Sequence, residues 1–363
     1  MEAIPFERID LTQQKQTKNT KKEEEKIMKK FVSLLLALLM VSALVACSSG
    51  NTASTTQATT QTEKAPVDKS KVSISVGSGT SGGAFYMVGA ALAQAIQNHA
   101  GYTASSEATG GTSENIRIVA DQTTTIGMGM CDDVIAAYKG ERDYAGSPAS
   151  NLRVLMSGQT NTFHIIVRAD SDIKNLEDIK GKRVSLGPSG APWFGPDMIE
   201  ATTGYVKDKD YTGQYLGHNQ AADALQNGDI DVLIATLAYP ASAYANLALS
   251  VDVRFISLTD EQMNKALAAH PAWKDQGIPA GTYKGQDEAT RVPAVPVWLF
   301  TYADMDEEVI YDCVKAILEN SDEMATVHAD AGKYRLETAT DGLGDVHVHP
   351  GALKYFQEKG VMN

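Results

Sequence analysis

The chain changes period within a few residues of Lys71. "KVSISVG" is a short strand pattern, "SGTSGG" a burst of small polar residues, and "AFYMVGAALAQAIQ" a helix pattern. In that helix Phe85, Val88, Leu92 and Ile96 recur at helical spacing and predict a core stripe. The strand-like "YTASSEATGG" and the segment "TSENIRIVADQTTTIGMGMCDD" follow. The plan repeats from Lys182 as "KRVSLGPSGAPWFGPDMIEATTG", "YTGQYLGHNQ" and "AADALQNGDIDVLIATLAYP". Each copy reads strand, Gly-Ser loop, helix, strand, polar loop, helix, turn, strand.

Strands alternating with helical segments imply parallel strands joined by crossover helices. Such sheets bind ligands beyond the carboxyl ends of their strands. Two extended apolar runs, "NTFHIIVRAD" and "VPAVPVWLFTYAD", flank the second copy and predict two strands crossing between domains. The chain leaves domain I near His164, builds domain II and returns near Val295. The expectation is an α/β protein with domain I over 71–163, domain II over 164–292 and a return to domain I with C-terminal helices over 293–363. A cleft between hinged lobes follows from that layout.

Residues 31–46, "FVSLLLALLMVSALVA", are apolar, preceded by Lys29-Lys30 and followed by Cys47. A basic start, a short apolar run and small residues before a cleavage point describe a secretory signal. The run is shorter than the roughly 20 residues of a stable membrane span. "LVAC" resembles the lipobox of bacterial lipoproteins, which implies acylation of Cys47 and anchoring to the outer face of the cell membrane. The signal is expected over 28–46, starting at Met28. Residues 1–27, with Glu23, Glu24 and Glu25 close to the apolar run, read as a mis-assigned start extension. Residues 47–70 are rich in Ser, Thr and Gln and nearly free of apolar side chains, the composition of a disordered tether.

The chain carries 32 Lys and Arg against 45 Asp and Glu, a formal charge of −13. The first 46 residues hold 8 basic and 6 acidic side chains, which leaves −15 on the remainder. That charge argues against nucleic acid and anionic lipid as partners. Cys131 and Cys313 are too few for a disulfide framework; free thiols are the default and one bridge between them the alternative.

Gly77, Gly79 and Gly82 spell G-x-G-x-x-G, the dinucleotide fingerprint. Three features oppose a nicotinamide cofactor: export, the recurrence of the device at Gly187-Pro188-Ser189-Gly190, and the lack of an acidic residue about twenty positions on at a second strand's end, Glu107 coming later. Amide groups at a helix N-terminus, with glycines allowing close approach and hydroxyls from Ser78, Thr80 and Ser81, suit a carboxylate as well as a phosphate. No cofactor is expected.

Five stretches in order resemble one family: "VGSGTSGGAFYMVGAALA", "ATGGTSENIRIVADQ", "LEDIKGKRVSLGPSGA", "AADALQNGDIDVLIAT" and "VHVHPGALKYFQEKG". They are similar to the TAXI-type solute receptors of the tripartite ATP-independent periplasmic (TRAP) transporters, over roughly 71–360. The resemblance implies a type II-like, two-domain periplasmic-binding-protein fold that closes on a small carboxylate or amino acid, glutamate- or glutamine-like. It implies delivery of that solute to a TRAP membrane permease driven by an ion gradient. Gly82-Gly83-Ala84-Phe85-Tyr86 matches the family's Gly-Gly-x-Tyr-Tyr loop, with Phe85 lacking the usual hydroxyl. Gly110-Gly111-Thr112 with Glu114-Asn115 matches its Gly-Gly-Ser loop. Met130-Cys131-Asp132 stands where Gln-Ser-Asp is usual, which implies a more apolar wall.

Ser81 and Gly83 are the first ligand anchors expected, with Gly79 and Thr80 in the same loop; a plain helix-capping turn is the alternative. Tyr86 either presents its phenol to the cleft or packs beneath the loop. Asn115 either orients the ligand or caps its helix. In domain II, Ser189 and Gly190 answer the first loop, Trp193 is either lid or core, and Thr236 and Tyr239 stand where a strand meets the crevice. Asp132 is a candidate receiver for a ligand amine. His347 and His349 form a sparse H-x-H, expected to support the turn before the helix opened by Pro350 rather than to bind metal. No His-Glu-x-x-His helix is present, and nothing recruits a nucleophile. The expectation is a binding protein and not an enzyme. The rivals are a receptor of the same fold serving an ATP-driven importer or a sensor, and an exported α/β hydrolase.

Overall fold

The computed structural model describes residues 67–79, 81, 84–188 and 193–362. The apolar run 31–46, Cys47 and most of the tether lie outside the described residues, as do Thr80, Gly82, Gly83, Ser189 and Gly190. Among the described residues no helix is long and apolar enough to cross a membrane.

The first copy of the repeated plan forms β1 (Ser73–Gly77), α1 (Ala84–Ala95), β2 (Thr103–Glu107), α2 (Thr112–Ala120), β3 (Ile126–Met130) and α3 (Cys131–Lys139). A long strand, β4 (Leu152–Arg168), leads to the second copy. That copy forms β5 (Arg183–Ser185), α4 (Phe194–Thr203), β6 (Thr212–Gln214), α5 (His218–Asn227) and β7 (Val232–Leu237). Then come α6 (Ser242–Ser250), β8 (Val253–Phe255), α7 (Asp260–Ala269), β9 (Lys274–Asp275) and β10 (Pro293–Tyr302). The chain closes with α8 (Glu307–Glu319), α9 (Ser321–Val327) and α10 (Pro350–Glu358).

All strands among the described residues join one sheet of order β2-β1-β3-β10-β4-β7-β5-β6, with β8 on β4 and β9 on β10. β1 is parallel to β2 and β3, and β5 is parallel to β6 and β7, so the two copies share one local order. The half built on β1–β3 is lobe I and the half built on β5–β8 is lobe II. β10 runs antiparallel to β3 and β4, and β4 runs antiparallel to β7. β4 is 17 residues long. At about 3.4 Å per residue it reaches roughly 55 Å, enough to serve both lobes. Its first part pairs with β10 and its last part with β7 and β8.

The sequence pattern puts the start of this strand at Asn161, whereas the structure puts it at Leu152. The reason lies at Gly158-Gln159. Pro296 faces Thr160 while Trp298 faces Ser157, so β4 carries an extra residue at this point, a bulge that breaks the alternation. The ring of Tyr334 lies on Gly158, where a Cβ would come within 2.0 Å of Cε1. Only a residue without a side chain fits there.

Val88, Leu92 and Ile96 of the expected α1 stripe are fully buried and Phe85 is half-buried. α8 buries Val309, Ile310, Cys313, Val314, Ala316, Ile317 and Leu318. Cys131 and Cys313 are free and buried. His349 caps α10 by accepting from the Gly351 amide, with Pro350 in its first turn, while His347 pairs with the Tyr138 hydroxyl at 2.9 Å. The two imidazoles therefore serve the turn by different contacts.

Candidate functional site

In lobe I the helices α1, α2 and α3 all begin at the carboxyl edge of β1–β3, with unsatisfied amides and the positive ends of their dipoles there. Asn115 holds this edge together. Its Nδ2 donates to Ser78 O and Met128 O, each at 2.8 Å, tying the end of β1 to β3. Ser78 is buried, and its hydroxyl donates to Glu107 O at 2.7 Å while facing Ser106 Oγ at 2.8 Å. Contrary to the expectation that it supplies a donor to a ligand, the Ser78 hydroxyl is spent inside the lobe. Helix α1 sits so close that a Cβ at Gly89 would fall 2.6 Å from Ser78 Cβ.

Gly79 is buried beneath Phe85 and its carbonyl accepts from the Thr109 amide at 3.0 Å. Ser81 is exposed, and Phe85 and Tyr86 are half-buried in the first turn of α1. Thr112 opens α2, and its hydroxyl accepts from the Met130 amide at 3.3 Å. Glu107 is the last residue of β2, opposite Gly77, so an acidic residue does stand at the second strand's end. Its carboxylate accepts from Thr124 Oγ1 at 2.7 Å.

In lobe II, Trp193 is half-buried at the start of α4, and Thr236 and Tyr239 lie half-buried at and just beyond the end of β7. The segment after the cis Tyr239–Pro240 peptide is anchored from below. The Ala241 amide donates to Tyr283 OH at 2.8 Å, and Tyr283 OH lies 2.8 Å from His164 Nε2. Because the phenol oxygen receives an amide proton, its own proton goes to Nε2, and His164 Nδ1–H donates to Thr162 O at 2.9 Å. Burial pushes the His164 imidazole down to about 4, so it is neutral at ordinary pH. His218 opens α5 with its Nδ1 3.0 Å from Tyr244 OH, and burial lowers its pKa also.

The two lobes meet in a charged and aromatic seam. Arg142, after α3 of lobe I, donates to Asp197 Oδ2 of lobe II at 2.7 Å and lies 3.8 Å over the Trp193 ring. Trp193 also stacks on Phe194 at 3.7 Å. Asp132 at the start of α3 accepts from Trp273 Nε1, and His270 Nδ1 stands 3.7 Å from its other oxygen. His270 stacks on Trp273 at 3.9 Å and 8°. Deeper along β4, Thr160 Oγ1 donates to Gln276 Oε1 at 3.0 Å, Gln276 Nε2 donates to Tyr239 OH at 3.3 Å, and Lys333 lies 5.6 Å from the Tyr239 ring. Burial, reinforced by Asp132, raises Asp133 to about 7. Burial also raises Asp197, opposed by Arg142.

The structure thus brings Asp132 and Trp193 to the seam and leaves Tyr239 beside it, while Thr112 and Asn115 serve lobe I from within. Arg142, His270, Trp273, Gln276 and Lys333 escape sequence pattern. Arg142 adopts φ 53°, a left-handed conformation that no motif announces. A groove along α2, between Ser113 and Asp121 and facing Tyr144 and Asn151, lies on lobe I alone.

Two α/β lobes of like topology, joined by crossing strands, with the helix N-termini of each lobe at the carboxyl edges of its parallel strands, make this a periplasmic-binding-protein fold. The chain belongs to the NMT1-like family, whose model matches residues 76–360. Among solved structures it is similar to the periplasmic aliphatic sulphonate binding protein SsuA from Escherichia coli, at 16% identity over 78% of each chain, TM-score 0.43. It is similar to a putative periplasmic sulfonate-binding protein SsuA from Methylobacillus flagellatus KT, at 13% over 82% of this chain and 89% of that one, TM-score 0.47. A TctC solute binding protein from Polaromonas matches at 15% over 71% and 86%, TM-score 0.48. The fold rests on strand order and pairing, not on these distant likenesses.

Proposed function

We propose that this protein is an extracytoplasmic solute receptor that captures a small carboxylate or amino acid, glutamate- or glutamine-like, between its lobes. It hands the solute to a TRAP permease driven by an ion gradient and is tethered to the membrane through an acylated Cys47. The observation that carries the reading is the matched pair of strand-to-helix edges, β1 to α1 and β5 to α4, on two lobes that share one sheet. Helix N-termini present amide donors and a positive potential, which suit a carboxylate. The loop residues Thr80, Ser81, Gly83, Ser189 and Gly190 supply those donors, with Gly79, Phe85, Tyr86, Thr112 and Asn115 shaping the lobe I side. Trp193, Thr236 and Tyr239 form the lobe II wall. Asp132 Oδ1, the oxygen not held by Trp273, receives the solute's ammonium.

The test is the melting temperature of protein unfolded and refolded to strip carried-over solute, read against a panel of carboxylates and amino acids. A ligand at a hundred times its Kd adds about 2.7 kcal/mol to stability. A shift with dicarboxylic amino acids supports the reading, and no shift with any member of the panel overturns it.

A further inference from the structure

The seam between the lobes contains contacts that owe nothing to a solute. Arg142 belongs to the segment after α3, on lobe I, yet both its partners, Asp197 and the Trp193 ring, are on lobe II. Trp273 belongs to the segment after α7, a helix that packs on α4 of lobe II; its indole N–H goes to Asp132 on lobe I, and its neighbour Lys274 pairs with Ala294 of β10 and with Asp341 at 2.9 Å. The side chains of Arg142 and Asp197 are each about one-third exposed, at 32% and 33%, whereas Trp273 is 4% and Asp132 8% exposed. One contact is thus a rim clasp and the other a nearly dry pin. His270 stacks on the pinned indole at 3.9 Å and Phe163 of β4 lies 5.0 Å from it, which fixes the ring where Asp132 meets it.

We infer that Arg142 and Trp273 are closure residues, a two-point latch that holds lobe I to lobe II and sets the ligand-free balance between open and closed forms. Separation of the lobes breaks the Arg142 contacts and pulls on the Trp273 contact through α7, and only interactions that differ between two states shift their balance. The latch has a consequence for capture. Whatever fraction of closure it supplies, the solute need not, so the apparent affinity rises as the competent state becomes more populated. Arg142 and Trp273 are positioning residues that act through the approach of the lobes. The inference rests on the two-lobed receptor reading, but its test needs no solute.

The experiment is single-molecule energy transfer on the full chain in detergent, carrying Cys47→Ser, after unfolding and refolding to remove any carried-over solute. Dyes are placed by Gln357→Cys on lobe I and Lys209→Cys on lobe II, both exposed positions; Cys131 and Cys313 are buried and shielded from the dyes. The latch predicts a closed population without added solute, and a closed-to-open ratio lowered about fivefold or more by Arg142→Ala or Trp273→Phe. It further predicts that exchanging the charges, Arg142→Asp with Asp197→Arg, restores part of the closed fraction that Arg142→Asp alone removes. Far-ultraviolet dichroism checks that each variant is folded, and Arg142→Lys with Asp197→Asn stands in for any that is not. Folded variants whose closed fraction matches the parent overturn the inference. A failed solute panel would leave this result untouched, and an unchanged closed fraction would leave the solute reading untouched.

Discussion

Asn115 Nδ2 lies 2.8 Å from the carbonyl oxygen of Ser78, and the same nitrogen reaches Met128 O at an equal distance. One buried amide therefore closes the gap that opens between β1 and β3 where their pairing ends at Gly77 and Gly127. Among the described residues its Oδ1 has no hydrogen-bond partner, and a Cβ at Gly77 would stand 2.9 Å from it.

Asn115→Leu leaves two buried carbonyls unpartnered, and each such loss costs about 1–3 kcal/mol. The expected outcome is a stability loss of roughly 2–6 kcal/mol, read from the midpoint of urea unfolding. Asn115→Asp should be worse, because a carboxylate oxygen then faces two carbonyl oxygens and donates to neither.

His164 makes the folded state acid-sensitive. Its folded pKa of about 4 lies below the ordinary 6.5, so the neutral ring is the one the fold accepts. Its contribution is complete above pH 6.5 and is lost as pH falls towards 4, because over that window the unfolded chain binds the proton that the folded chain refuses. At about 1.4 kcal/mol per pKa unit the loss is roughly 3 kcal/mol. Urea midpoints between pH 4 and 8 should show it, and His164→Phe should flatten this part of the profile.

Asp133 works in the opposite sense. Its folded pKa is raised to about 7, mainly by burial, and its carboxyl forms no hydrogen bond among the described residues. The favourable condition holds below the unfolded value of 3.8 and is lost as pH rises through 7. Asp133→Asn keeps the shape and removes the charge, so it should stabilise the protein at pH 8 by a few kcal/mol. At pH 4 the same substitution should do little, and a melting series across this range measures the difference.

Gly158→Ala should be among the most damaging small substitutions in the molecule. The new methyl would meet the Tyr334 ring at 2.0 Å, and a fully buried ring has nowhere to retreat. Overpacking of this kind costs about 1–3 kcal/mol or more. Tyr334→Ala should cost less stability in the Gly158→Ala background than in the parent, and a double-mutant cycle of unfolding midpoints decides it.

The repeated strand-loop-helix plan is legible in the sequence because each element carries its own period. "KVSISVG" alternates, α1 repeats its apolar positions at helical spacing, and the glycines mark the change between them. Pro350 and the residues before it likewise announce a helix start. The first half of β4 is illegible for an equally local reason. The bulge at Gly158-Gln159 removes the alternation by which a strand is recognised, and the partner that makes it tolerable, Tyr334, lies far along the chain.

By itself the sequence determined two α/β lobes of one plan and the edges on which a solute is expected, because those features follow from spacing within about twenty residues. Tertiary structure alone decided how the lobes are fastened. Arg142 and Asp197 are 55 residues apart and Asp132 and Trp273 are 141 apart, and neither pair shares a local pattern. A contact between distant residues depends on where the whole sheet carries them, so only the assembled fold sets a guanidinium on an indole and an indole N–H on a carboxylate.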